Sequence, residues 1–207
     1  MAQKPEERYK AGWSAFEKGD FAAAIREAAA CMQDTAADSR WYAAAMSLHC
    51  WASHFSGDVA AAERDAYTLL TLDSGDEKAW FDGLALINIG IMRRRAGDIG
   101  EAELVFDQAS AKFATYAMPP ESSSECELSR DLFAAFAYWA ANDEAGKLED
   151  LARRLKDQSQ AERNAGHVYR SVELYLRLAK GNDVRAEAAR AAAEGVHRTL
   201  LAPILLG

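Results

Sequence analysis

The stretch Tyr9-Lys-Ala-Gly-Trp-Ser-Ala-Phe-Glu-Lys-Gly-Asp-Phe-Ala-Ala-Ala-Ile25 decides how the rest of the chain is read. It reads as a helix, a sharp turn at Gly19-Asp20 and a second helix opening at Phe21. Gly12 and Ala15 put small residues where two helices can approach closely. Gly19 tolerates the left-handed conformation that ends a helix, and Asp20 can cap the next one by accepting a backbone N–H. Phe21, Ala24, Ile25 and Ala28 then recur at helical spacing along one face.

The same punctuation returns along the chain at Gly57-Asp58, Gly97-Asp98 and Gly181-Asn182-Asp183. The first two intervals are about 40 residues, and the last is about twice that. Asn142-Asp143 falls near the middle of the long interval, and Asn can take the left-handed turn conformation that Gly otherwise supplies. After the turns, Ala62, Ala66 and Leu69, and then Ala102, Phe106 and Ala109, line second helices. Each unit thus carries a small residue in its first helix, a Gly-Asp turn followed by an aromatic or β-branched residue, and an alanine early in its second helix.

These features resemble the tetratricopeptide repeat. The resemblance implies an all-α, right-handed superhelix (an α-solenoid) of antiparallel helix hairpins, with no catalytic machinery in the repeat itself. Five repeats are expected, over residues 5–37, 38–75, 76–117, 127–159 and 160–199. A loop occupies 118–126, where Met118-Pro-Pro-Glu-Ser-Ser-Ser-Glu125 stops a helix. Residues 200–207, Leu-Ala-Pro-Ile-Leu-Leu-Gly after Leu200, form an apolar tail expected to cap the last hairpin. The period exceeds the family's ~34 residues, which calls for longer helices or longer inter-repeat turns. Lys147 stands where the family has alanine in the fourth unit, and Ala186 recovers that position in the fifth.

Composition agrees with a helical domain. Half of the 207 residues are hydrophobic, 27% are charged, and only 4 are proline, which favours helices throughout. A formal net charge of -8 argues against a nucleic-acid partner, because phosphate binding needs surplus Lys and Arg. Cys31, Cys50 and Cys126 are odd in number and widely spaced, as expected of free thiols in a reducing compartment. The charged start leads directly into the first helix, unlike a signal peptide, and no apolar run approaches the ~20 residues that span a bilayer. These features point to a cytoplasmic protein without membrane insertion.

No nucleophile elbow, phosphate-binding glycine loop, dinucleotide fingerprint or H-E-x-x-H pair occurs, so no catalytic residue, metal site or cofactor is expected. Cys50 and His54 share a helical face, but two ligands do not make a metal site, and Cys50 reads better as a buried small residue. The informative residues are aromatic. Positions that line the concave face in the repeat family, counted back from each turn, give Tyr9, Trp13 and Phe16, then Ser47, Trp51 and His54. The third unit gives Ile87, Ile91 and Arg94, the fourth Leu132, Phe136 and Trp139, and the fifth Ser171, Tyr175 and Leu178. Trp13, Trp51, Ile91, Phe136 and Tyr175 thus recur at one inner position. Such a ladder is either a groove for a peptide or hydrophobic ligand, or a core buried between repeats.

The carboxylate-clamp form of the family is not expected. Its Lys and Asn positions hold Tyr9, Trp13, Leu48, Leu84 and Asn88 here, and only the last offers an amide donor. Arg93-Arg94-Arg95 ends a helix, where cations complement the macrodipole; Arg94 and Arg95 could also reach an acidic ligand group. The expected function is a non-catalytic interaction module that binds a partner peptide or helix in a concave, aromatic-lined groove. The alternative is a ligand- or peptide-sensing regulatory domain that changes shape or oligomeric state. A homodimer could form through an end face or through the C-terminal tail.

Overall fold

The computed structural model describes residues 4–116, 132–137, 139, 145–158 and 163–207. The expected loop at 118–126, Cys126 and the Asn142-Asp143 turn lie outside them. Among the described residues every regular element is helical. Helices α1 (Pro5–Glu17) and α2 (Phe21–Gln33) are followed by α3 (Arg40–Ser56) and α4 (Val59–Thr71). Next come α5 (Lys78–Arg95) and α6 (Ile99–Thr115), then α7 (132–137) and α8 (Ala145–Gln158). Helices α9 (Arg163–Ala179) and α10 (Arg185–Ala193) precede a 3-10 turn at Arg198–Leu201, which runs into α11 (Ala202–Leu205). From α1 to α6 each helix packs on the next in chain order, as α8 does on α9. Helix α3 also touches both α1 and α5. None of the helices is long and apolar enough to cross a membrane among the described residues.

The turns share one hydrogen-bond pattern. Gly19, Gly57, Gly97 and Gly181 have φ of 82°, 91°, 87° and 82°. The residue after each glycine donates its N–H five residues back: Asp20 to Ala15, Asp58 to Ser53, Asp98 to Arg93 and Asn182 to Arg177, at 2.9, 2.9, 3.0 and 3.1 Å. This is the Schellman arrangement, which satisfies carbonyls that a helix end leaves orphaned. Asp20 and Asp58 then cap α2 and α4, accepting from Ala23 and Ala61 N–H at 3.0 Å each. Gly195 (φ 100°) makes a fifth turn of the same kind, with Val196 donating to Ala191 at 3.0 Å. No Asp follows it, so it escaped the motif.

Small residues set how closely the helices approach. A Cβ on Gly83 would meet the Phe113 ring at 2.5 Å, and one on Gly90 the Phe106 ring at 2.6 Å. The two pairs are spaced seven apart on antiparallel helices, so α6 lays two rings directly on the α5 backbone. Gly12 serves α1 likewise, its missing Cβ leaving room for Leu48. Cys50, at the matching place in α3, is buried and its thiol donates to the Ala62 carbonyl at 3.3 Å. Asp82 is a buried charge on α5, paired with Lys78 and, at 2.8 Å, with Lys112 of α6. Removing either helix's lysine would leave it less compensated.

The apolar tail packs on α9 and α10, and it also reaches the start of the chain. Leu200, Leu201, Ala202, Pro203 and Ile204 are buried. The Tyr175 hydroxyl donates to the Leu200 carbonyl at 2.7 Å. Arg198 donates to the Glu17 carbonyl at 3.1 Å and, through its backbone, to the Glu17 carboxylate at 3.2 Å, with His197 2.9 Å from the same carboxylate. The tail therefore spans from the last hairpin to the turn of the first.

Backbone conformation and space separate cleanly at two glycines. Gly57 has positive φ with nothing near its missing Cβ, whereas Gly100 lies in α6, also in open space, without positive φ. Gly57→Ala should cost about 1–2 kcal/mol of unfolding free energy. Gly100→Ala should add about 0.5–1 kcal/mol. Urea denaturation of the two variants checks the opposite signs.

Candidate binding site on the inner helices

The residues expected on the concave face fall into three groups. Phe16, His54, Ile87, Ile91, Phe136 and Tyr175 are each 2% exposed or less, packed as core. Tyr9, Trp13 and Trp51 line a cavity of about 280 Å³. Arg94 and Trp139 line a second cavity, of about 410 Å³, against Pro203 and Gly207 of the tail. Six of the eleven are thus packed as core, and the other five line cavities. Neighbouring helices and the chain's own tail fill the inner face. Phe136 and Tyr175 pack with ring centroids 4.5 Å apart, and Trp139 lies 5.3 Å from Tyr175. At the other end Phe16 packs between Trp13 and Phe55, 5.4 Å from each.

Six rings surround the 280 Å³ cavity: Tyr9, Trp13, Trp51, Trp80, Phe81 and Phe133. They come from α1, α3, α5 and α7, and Leu84 and Leu200 complete the apolar wall. Counting back from the turns missed Trp80 and Phe133. Helix α5 is 18 residues long against 13 for α1, so its first turn projects beyond the three positions counted. Polar groups at the cavity are Ser47, Thr199 and the half-exposed His197. Burial pushes the Tyr9 phenol up to about 12, with the Glu77 carboxylate acting in the same direction. The ring stays protonated and remains a donor.

His54 holds a buried polar link between α3 and α5. Its Nδ1 lies 2.7 Å from Asn88 Oδ1, and Arg95 approaches Nε2 at 3.4 Å. Arginine can only donate, so Nε2 accepts and Nδ1 carries the proton that Asn88 receives. Burial lowers the His54 pKa below its ordinary 6.5, the Asn88 bond opposes this, and the Arg95 charge adds to the lowering. The neighbouring arginines are spread apart. Arg93 pairs with Glu63 at 2.8 Å and Glu101 at 3.3 Å, while the Arg94 guanidinium lies 4.7 Å over the Trp139 ring.

Among the described residues, the other clusters of histidine, cysteine and serine are tied to structural partners. His49 Nδ1 is 2.6 Å from Asp65 and 3.5 Å from Ser53 Oγ. Both partners approach the same ring nitrogen, so the serine is not placed for deprotonation by a His–Asp relay, in which the two use opposite nitrogens. Cys50 turns to α4 and His54 to α5, so the two do not converge. Burial drives the Cys50 thiol far up, with the Asp65 charge assisting. A larger cavity of about 880 Å³ lies among α6, α7 and α8 and holds none of the expected site residues. Of its basic side chains, Arg153 pairs with Asp150 at 2.7 Å, and Lys147 and Arg154 have partners as well.

Comparisons with known protein families, with curated proteins and with solved structures find no match. The functional reading therefore rests on the geometry of the inner helices.

Two measurements follow from this burial. Trp51 is 1% exposed and Trp13 half-buried, so Trp51→Ala should cost about 3–5 kcal/mol and Trp13→Ala clearly less. The depressed His54 pKa adds stability above pH 6.5 that is lost as pH falls through the folded value. Unfolding free energy should thus decline from pH 7 to pH 5, this group contributing at most about 1.4 kcal/mol per pH unit. His54→Gln should flatten that decline in denaturant titrations.

Proposed function

We propose that the protein is a non-catalytic interaction module of the tetratricopeptide type, whose inner face takes an apolar segment of a partner protein. One observation carries this reading: the inner helices already hold such a segment, the chain's own Arg198–Leu205. A short turn of Leu, Ile, Ala and Pro sits there with its carbonyl at Leu200 held by Tyr175 and its cationic end held by Glu17. The partner is an apolar segment that displaces the tail by adding contacts the tail lacks, as peptide-binding domains reuse their own packing rules for ligands. The five Gly-centred turns and the close approach at Gly12 and Gly90 support the repeat assignment. The right-handed superhelix and a cytoplasmic setting belong to the same proposal.

A labelled peptide with the sequence of residues 198–207 tests it by fluorescence anisotropy. Binding to the unmodified chain should be weak, because the tethered tail competes. A chain carrying Arg198→Ala and Leu200→Ala holds its tail less well and should bind the peptide at least ~10-fold tighter, tethering being worth a large effective concentration. A scrambled peptide should bind neither. If circular dichroism shows both chains folded and neither binds the peptide, the reading fails.

A further inference from the structure

Arg94 carries a charge that the fold leaves without a counter-charge. Among the described residues three arginines lie over aromatic rings: Arg40 over Trp41, Arg94 over Trp139 and Arg198 over Phe21, at 4.8, 4.7 and 5.8 Å. Arg40 also pairs with Glu77 at 3.8 Å, and Arg198 donates to the Glu17 carbonyl at 3.1 Å. Arg93, next to Arg94 in the chain, is shared by Glu63 and Glu101. Arg94 has no such acceptor among the described residues. It is half-buried, and burial lowers its pKa, opposed by the Glu103 carboxylate, which forms no ion pair with it.

The same guanidinium lines the cavity of about 410 Å³, whose wall includes Trp139, Leu178, Ala179, Pro203 and Gly207. That volume lies within the usual ~300–1,000 Å³ of small-molecule sites. Stacking engages the face of the guanidinium and leaves its in-plane N–H donors for another group, and a carboxylate meets two of them side by side. Arg94 is the one charged side chain among the described lining residues, so it matches a single negative charge. A phosphate would bring a second charge with nothing to compensate it. The Gly207 carbonyl is already held by Arg185 at 2.6 Å. Leu178, Ala179 and Pro203 have no side-chain donor or acceptor, so they suit a ligand whose body is apolar.

We propose that the cavity between the end of α5, Trp139, the end of α9 and the C-terminal segment binds a small monocarboxylate with a compact apolar body. Arg94 takes the carboxylate through two N–H groups, and Trp139 holds the guanidinium in its plane. Leu178 and Pro203 cover the body. Because Pro203 belongs to the tail, the ligand needs the tail seated. The site is therefore independent of the partner reading, in which the tail is displaced.

Benzoate, a flat monocarboxylate, tests this against the uniformly ¹⁵N-labelled full chain, with benzamide as its neutral counterpart of the same shape. The five tryptophans give five indole N–H signals, assigned by single Trp→Phe substitutions. Benzoate should shift the Trp139 signal saturably, with a dissociation constant of about 1 mM or tighter. Trp41 should stay in place, because its stacked Arg40 already has Glu77. Benzamide should bind at least ~10-fold more weakly, and Arg94→Gln should weaken benzoate by a similar factor. Arg94→Lys keeps the charge but not the paired donors, and should fall between. Absence of a saturable shift at Trp139 overturns the proposal. So does equal affinity for benzoate and benzamide, a comparison that needs no variant and holds even if changes at Arg94 disturb the fold. Displacement of benzoate by an equal concentration of inorganic phosphate overturns it too. A chain that binds benzoate here yet ignores the tail peptide keeps this site and loses the partner reading; the reverse result does the opposite.

Discussion

The structure depends on covering one apolar inner face. Stacked helix hairpins bury the surface between neighbours but leave the inner side of their first helices without a partner. Here that side carries Trp51, Ile87, Ile91, Phe136 and Tyr175, all buried. Packing between adjacent helices covers part of it. The tail covers more, and burying Leu200, Leu201 and Ile204 contributes about 1.5–3 kcal/mol for each side chain. Polar contacts at both ends then fix where the tail lies. Tyr175 holds the Leu200 carbonyl, and Glu17 receives both Arg198 and His197. The buried tyrosine bond is the more consequential of the two, since its loss would strand a hydroxyl inside the core. The partly exposed contacts at Glu17 give register more than energy.

The cavity is what this covering leaves over. Helical cores pack at the density of organic crystals, and voids larger than a water molecule are few. A cavity of about 280 Å³ edged by six rings is the part of that face the tail leaves unfilled. It lies where the tail's 3-10 turn passes the first turns of α5 and the middle of α1 and α3. The tail's side chains there are a threonine and a leucine. The aromatic surplus belongs to the helices, not to the segment that covers them.

How much of this was legible in sequence divides along the range of the interactions. Turn positions were readable because a positive φ is a local demand that Gly19, Gly57, Gly97 and Gly181 meet on their own. Close approach at Gly12 and Gly90 was readable for a different reason, because a missing side chain inside a first helix leaves room for a neighbour. Whether the aromatic ladder was groove or core was not. Tryptophan at helical spacing looks alike in both cases, and the difference lies in contacts between residues far apart in the chain, such as Arg198 with Glu17. Trp80 escaped because a fixed count back from the turn presumes helices of equal length, and α5 is longer; Phe133 of α7 stands one residue beyond the counted Leu132.

Tail and cavity together set what any competitor must do. The tail is tethered, so it acts at an effective concentration of roughly millimolar. A free segment of identical chemistry gains nothing over it and loses the tether. A competitor prevails only by making contacts the tail lacks, and the unfilled space edged by Trp13, Trp51 and Trp80 is where such contacts are offered. On the proposed reading, an aromatic anchor would gain ring packing of about 0.5–1.5 kcal/mol per contact beyond area burial, and a partner segment that carries one would outbind the tail.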